Sequence, residues 1–260
     1  MIHIAESGKG QPIILLHGFC ENHHIWDSLA SQLATQFRVL GVDLPGFGDS
    51  PLLPEKYTSL DDVADALAEE LTYRKVGPAF VVGHSLGGYV ALALAELYPE
   101  LLQGIALVNS TTFGDSQDKK RTRDKVITFI AKHGVVPFIN QFVEGIFYQK
   151  ENFHEPYETV KAMGLSCSEE ILIRYTAMMR DRIDRTFLLQ QSTIPAMVIA
   201  GAEDSIVLVG QSQEMIDCLP EAHGTMLHSC GHMAMYEQPE KLYGHLVDFI
   251  NNTATGGSRG

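Results

Sequence analysis

Gly83-His84-Ser85-Leu86-Gly87 decides how this chain is read. The five residues follow the pattern G-x-S-x-G, and their flanks matter more than the pattern. Ahead of them runs Ala79-Phe80-Val81-Val82, a short apolar stretch that suits a buried strand. Behind them comes Gly88-Tyr89-Val90-Ala91-Leu92-Ala93-Leu94-Ala95-Glu96-Leu97-Tyr98, rich in helix formers and closed by Pro99. Strand, sharp turn and helix together form the context of a nucleophile elbow, whose strained backbone lifts a serine hydroxyl clear of the sheet. Side chains at positions 83 and 87 would collide in so tight a turn, so both must be glycine. The helix that begins at the serine places the positive end of its dipole beneath a developing oxyanion.

A chain of 260 residues can bury a large core in one domain, or in one domain with an insertion. The formal net charge of −13 and the lack of a basic stripe argue against a nucleic-acid backbone or an anionic membrane as partner. The first residues, Met1-Ile2-His3-Ile4-Ala5-Glu6-Ser7, have neither the basic region nor the apolar segment of a secretory signal. No run approaches the roughly 18 apolar residues of a membrane span. A cytoplasmic protein is expected. Cys20, Cys167, Cys218 and Cys230 lack C-x-x-C spacing and are read as free thiols.

Strand-like and helix-like segments alternate, which implies a mostly parallel sheet with helices on both faces. Strands are expected at residues 2–5, 12–16, 38–42, 79–82, 102–108, 196–200 and 224–227, and helices at 25–35, 60–74, 87–98, 212–218 and 239–250. Residues 113–192 break the alternation, with helical patterns at 119–132, 136–147, 155–163 and 168–179 and no convincing strand. Eighty residues are too long for a plain connection, so a helical subdomain is expected there. The division is a core of 1–112 and 193–250, a helical cap of 113–192 and a disordered tail of 251–260.

A serine hydroxyl needs a base to take its proton, and the base needs a partner to fix its tautomer. In open parallel sheets such groups collect on loops at the carboxyl ends of strands. Asp204 lies just past the strand 196–200, in Gly201-Ala202-Glu203-Asp204-Ser205-Ile206-Val207. His232 follows the last strand, in His228-Ser229-Cys230-Gly231-His232-Met233. The order Ser85, Asp204, His232 resembles that of the α/β-hydrolases. So do Leu15-Leu16-His17-Gly18-Phe19, Trp26 and Asp43-Leu44-Pro45-Gly46-Phe47-Gly48-Asp49-Ser50. On these motifs, spread over residues 2–250, the chain is similar to the cap-bearing branch of that superfamily, which holds esterases, lactonases, carbon–carbon bond hydrolases and cofactor-free perhydrolases. Relatives usually carry one more edge strand before the first one expected here.

The resemblance implies a three-layer α/β-hydrolase fold with a helical cap. It assigns Ser85 as nucleophile, His232 as base and then acid, Asp204 as the group orienting His232, and the backbone N–H groups of Phe19 and Leu86 as an oxyanion hole. The expected reaction is hydrolysis of a small, fairly apolar carboxylic ester or lactone through an acyl-enzyme, with no cofactor. Carbon–carbon hydrolysis or perhydrolysis on the same triad is the nearest alternative, and a receptor of this fold with little turnover is the alternative of another class. Serine at position 85 argues against haloalkane dehalogenases and epoxide hydrolases, whose nucleophile is aspartate. Phe138, Phe142, Phe147, Met178, Met179 and Met233 are expected to line the substrate pocket. Asp43 reads as structural, and His84 as packed beneath the elbow. Gly46-Phe47-Gly48 lacks the third glycine and the following helix of a dinucleotide fingerprint. No carboxylate or cysteine pattern accompanies His17, His23 and His24, so no metal is expected.

Overall fold

β-branched and leucine-rich runs bounded by turns form a seven-stranded sheet in a computed structural model that describes residues 1–220 and 223–256. The strands are β1 (Ile4–Gly8), β2 (Pro12–Leu16), β3 (Arg38–Val42), β4 (Ala79–His84), β5 (Leu102–Val108), β6 (Ala196–Gly201) and β7 (Gly224–Leu227). Their order is β1-β3-β2-β4-β5-β6-β7, with β1 antiparallel to β3 and every other pair parallel. β4 and β6 are buried along their whole lengths, as strands covered on both faces must be. α1 (Asp27–Leu33) connects β2 to β3, α2 (Leu60–Tyr73) connects β3 to β4 and α3 (Leu86–Leu97) connects β4 to β5, placed so that α2 and α3 pair and α3 lies along β2, β4 and β5. α1 packs instead on β3 and on the last helix of the fold.

The 113–192 region contains five helices and no strand: α4 (Gln117–His133), α5 (Val135–Val143), α6 (His154–Ser166), α7 (Glu169–Asp181) and α8 (Phe187–Gln191). Buried polar contacts tie it to the core. Arg185 bonds Glu96 at 2.8 Å and Asp61 at 2.7 Å, and the Tyr175 hydroxyl donates to the Pro45 carbonyl at 2.9 Å. Arg174 reaches the carbonyls of Leu53, Pro54 and Tyr57. After β6 come α9 (Val209–Asp217), α10 (Ala234–Glu237) and α11 (Pro239–Gly256). Among the described residues no helix is long and apolar enough to cross a membrane. The four cysteines are free.

Several expected boundaries move for identifiable reasons. The first strand is Ile4–Gly8 rather than 2–5, because register with β3 pairs Ile4 with Val42 and Gly8 with Arg38. The Ile2 N–H instead donates to the buried Glu70 carboxylate at 3.0 Å. The helix expected at 25–35 is a short 3-10 turn, His23–Trp26, followed by α1; the Asn22 side chain caps that turn. The helix expected over 136–147 stops at Val143. α11 continues past Ile250 to Gly256, so much of the expected disordered tail is helical, while residues 257–260 lie outside the described ones. Leu242, Leu246, Phe249 and Ile250 anchor that helix in the core, and once it is nucleated each added residue gains a backbone bond.

Asp43, at the end of β3, closes the turn that follows. Its carboxylate accepts from the His23 backbone N–H at 2.8 Å, His23 Nδ1–H at 2.7 Å and the Asp49 N–H at 2.9 Å. Burial opposes ionisation, but these donors outweigh it and bring the pKa down to about 2. A folded-state pKa below the unfolded one gives stability that is present above the unfolded value and lost as pH falls. Asp43→Asn should therefore cost about 2 kcal/mol at neutral pH and flatten the loss of stability between about pH 4 and pH 2. Thermal melts across that range check it; an unchanged acid limb would remove Asp43 from this role.

Candidate active site

Parallel register brings the carboxyl ends of β2, β4, β5, β6 and β7 to one edge of the sheet, and the site is built from the loops that leave that edge. Ser85 follows β4 with φ 49° and ψ −112°, a conformation that an L-residue holds only when its surroundings force it. The forcing is local. The Ser85 N–H donates to the Val108 carbonyl at 3.0 Å, and its own carbonyl accepts from Gly88 N–H at 3.0 Å and Ser110 Oγ at 2.7 Å. A Cβ at Gly83 would overlap the Gly87 carbonyl, and one at Gly87 would overlap the Leu16 carbonyl at the end of β2. The two glycines are required by backbone approach, as the sequence implies.

The structure brings Asp204 and His232 together: His232 Nδ1 lies 2.8 Å from Asp204 Oδ2, with both side chains buried. Asp204 is held on every side. Oδ1 accepts from the Ile206 N–H at 2.8 Å and the Val207 N–H at 3.0 Å, and Oδ2 also accepts from Asn109 Nδ2 at 3.1 Å. Burial works against its charge, but His232 and these donors leave the pKa below the usual carboxylate range. An ionised Asp204 fixes the proton of His232 on Nδ1 and leaves Nε2 as the basic nitrogen. The His232 carbonyl accepts from His84 Nε2 at 2.9 Å, and the two rings lie 4.9 Å apart, which places the histidine loop against the elbow.

Three polar groups of this site were not singled out in the sequence. Asn109, at φ 48° just past β5, bonds both Asp204 and the Gly231 carbonyl at 2.8 Å. Its signal is a polar residue directly after a buried strand, the same signal that marks Asp204. Glu237 accepts from the Met233 N–H at 3.0 Å and the Tyr148 N–H at 2.6 Å, so it clasps the histidine loop; burial raises its pKa. Glu21 accepts from the Gly18 N–H at 2.7 Å and lies 3.0 Å from His84 Nδ1.

His84 thus bonds a carbonyl through Nε2 and a carboxylate through Nδ1, and only an imidazolium can donate at both nitrogens. Burial alone would lower its pKa, but the Glu21 charge overrides burial and raises it; Glu21 is lowered in turn. A Cβ at Gly18 would lie 2.6 Å from His84 Nδ1, so this glycine makes room for the ion pair. His17 is fixed in a neutral form, with Nδ1–H donating to the Gly18 carbonyl and Nε2 accepting from the Leu44 N–H; burial lowers its pKa.

Of the six expected pocket residues, Phe138 and Phe142 pack on Phe19, with ring centroids 6.2 and 6.0 Å away. Both also line an apolar groove of about 340 Å³ between α4 and α5, together with Phe129 and Val126. Phe147 stacks on Phe153 and lies near Tyr236; Met178 and Met179 are buried in α7, and Met233 is buried beside His232. His3, His23 and Asp43 could present three metal donors within 4.8 Å of one another, but the His23–Asp43 bond already serves the turn after β3.

A model of the alpha/beta hydrolase fold matches residues 11–239. The chain is 27% identical to a pimeloyl-[acyl-carrier protein] methyl ester esterase of Aeromonas salmonicida, over 93% of this chain and 96% of that one. It is 25% identical to a 2-hydroxy-6-oxo-6-(2'-aminophenyl)hexa-2,4-dienoic acid hydrolase of Metapseudomonas resinovorans, over 96% and 87% of the two chains. Among solved structures, a thermophilic esterase from Thermogutta terrifontis with malate bound superposes with a TM-score of 0.89 at 27% identity, covering 97% of this chain and 93% of that one.

The Glu21–His84 pair generates a test. Removing one partner of a buried ion pair costs about 3 to 5 kcal/mol, which for a chain of this size lowers Tm by roughly 10 °C. Glu21→Gln should show that loss, whereas Glu6→Gln, at the exposed pair with Arg38, should shift Tm by no more than a few degrees. Equal, small shifts in calorimetry would mean that the buried pair carries no such weight.

Proposed function

The chain belongs to the alpha/beta hydrolase fold family, and we propose that within it this protein is a serine hydrolase that cleaves a small, fairly apolar carboxylic ester or lactone through an acyl-enzyme. That it is a hydrolase of the family follows from the matched model and the relatives; the nucleophile, mechanism and substrate class are our reading. The observation that carries this reading is the 2.8 Å bond to a fully engaged Asp204 from His232, whose loop is bonded to His84, the residue before a serine in a forced backbone conformation.

Ser85 Oγ attacks the carbonyl carbon while His232 Nε2 takes its proton, and the imidazolium so formed is stabilised by Asp204, which stays ionised. The negative charge that develops on the carbonyl oxygen is met by the backbone N–H groups of Phe19 and Leu86. Losing one such donor costs about 100- to 1000-fold in comparable sites. His232 then protonates the leaving alcohol, and water, deprotonated by the same nitrogen, releases the acid and restores Ser85.

The helical region 113–192 acts as the cap. The groove lined by Phe129, Phe138 and Phe142 supports an apolar substrate, since two of its rings rest on Phe19, whose N–H we assign to the oxyanion. The relative from Aeromonas, named for a methyl ester, agrees with ester cleavage.

A panel of p-nitrophenyl esters, lactones and dienones separates the substrate classes. A phosphonylating reagent should label Ser85 alone by mass spectrometry, and His232→Ala should abolish the labelling. Asp204→Asn should lower kcat by about 10⁴, because the amide favours the wrong imidazole tautomer. Rapid labelling that survives His232→Ala, or an adduct on another residue, would overturn the triad; stoichiometric labelling without turnover on any substrate would point to a receptor.

A further inference from the structure

Against the acid loop, at Ile206 and Val207, lies a polar cavity of about 80 Å³. Neither Ser85 nor His232 lines it. Its walls come from α3, the start of α4, the segment after α7 and the stretch Ile206, Val207 and Leu208. At roughly 30 Å³ per water it holds two or three waters, or a single small ion. That is too little room for the ester that the groove beside Phe138 would accept.

Its charge is unusual for so acidic a chain. Lys119, Arg123 and Arg182 line it against one carboxylate, Asp115. Asp115 is spent: Oδ1 takes Arg182 Nη1 at 2.7 Å and Oδ2 takes Arg123 Nε at 3.1 Å, with its side chain 2% exposed. Arg182 is committed through both Nη groups, and only its buried Nε–H has no partner. It donates to the Met179 and Phe113 carbonyls and stacks over the Tyr89 ring at 4.2 Å, so it supplies fixed positive potential.

Lys119 and Arg123 have donors to spare. Lys119 Nζ makes one hydrogen bond, to the Ile206 carbonyl at 3.1 Å, out of three it could donate. Arg123 uses only Nε, which leaves both Nη groups of its fork without a partner. Burial, followed by the charges of Arg123 and Arg182, depresses the Lys119 pKa, and the nearby carboxylates of Asp115 and Asp204 oppose that shift without reversing it.

We propose that this cavity binds a small oxyanion, a phosphate or a carboxylate, between Lys119 Nζ and the Nη groups of Arg123. A bound oxyanion takes paired donors from the guanidinium fork and a third from the ammonium. It also fastens α4 to the acid loop, because Lys119 holds the Ile206 carbonyl while the Ile206 and Val207 N–H groups hold Asp204. The site is distinct from the ester-binding groove and couples anion concentration to the rigidity of the loop that carries Asp204.

Calorimetric titration and thermal melts with sodium phosphate and with sodium acetate, ionic strength held constant with sodium chloride, test this on the whole chain. The wild type should bind one equivalent of at least one of the two anions and gain Tm as it does so. Phosphate alone would identify a tetrahedral ligand; acetate as well would include carboxylates. Lys119→Met and Arg123→Gln should each weaken binding tenfold or more; Lys119 gives up one backbone contact, to the Ile206 carbonyl, and Arg123 none, whereas Arg182 would give up two. Absence of saturable binding, wild-type affinity in both variants, or competition between the anion and a p-nitrophenyl ester would overturn the proposal.

Discussion

The close approach of the Gly83–Gly87 turn to the end of β2 is the constraint on which the rest of the site depends. With no Cβ at either position, the turn backbone sits against the Leu16 and His17 carbonyls at a separation that no other residue allows. That approach sets the spacing between Ser85 and the turn Gly18-Phe19, which leaves the end of β2. A methyl group at position 87 would push the two loops apart, and parallel pairing of β2 with β4 would be the first interaction strained. A third close contact, between Gly88 and Ser110 Oγ, holds the elbow against the loop after β5. The positive φ of Ser85 is therefore a product of packing on three sides.

Electrostatics then fixes what packing has brought close. Three of the loops at the carboxyl edge are each tied by a buried carboxylate: Glu21 on the turn after β2, Asp204 on the loop after β6, Glu237 behind the loop after β7. Each has a different answer to the cost of burial. Asp204 takes four donors and stays ionised, Glu21 pairs with an imidazolium, and Glu237 is displaced toward its neutral form. The chain Gly18–Glu21–His84–His232 runs from the proposed oxyanion turn to the catalytic histidine of our reading without passing through solvent. A change at either end is felt at the other because every link is buried.

The sheet and the Asp204–His232 pair were legible because each rests on a local pattern. Buried parallel strands read as continuous apolar runs, and five of the seven end within one residue of the expected position or on it: β2, β3, β5, β6 and β7. Asp204 and His232 stood out as polar residues directly after such runs. Glu21 did not, because its partner His84 is 63 residues away and nothing near Glu21 in the chain marks it as buried. Asn109 carried a readable signal, a polar residue after β5, but its two partners come from the loops after β6 and β7. The end of α5 was missed because apolar residues continue through Ile146 and Phe147; they are buried where the segment crosses the histidine loop, not along a helix.

That crossing bears on how the helical region is joined to the core. The Gly145 carbonyl accepts from Ser205 Oγ at 2.6 Å, the Ile146 carbonyl accepts from the His232 N–H at 2.9 Å, and the Tyr148 N–H donates to Glu237. Three of the four residues 145–148 thus hold the acid loop, the histidine loop and the carboxylate behind it through their backbones. A cap that swung as one rigid body would have to break these bonds and expose the Asp204–His232 pair to water, which weakens any charge interaction there. If the region works as the cap of our reading, its hinge lies away from this strap. The first turn of α4 is tied to the acid loop as well, through the Lys119–Ile206 bond, so in our reading of the region as a cap only the groove beside Phe138, towards the end of α4 and along α5, is left for a substrate to enter while residues 145–148 stay in place. Access for a substrate and protection of the charged pair are then assigned to different parts of the same insertion.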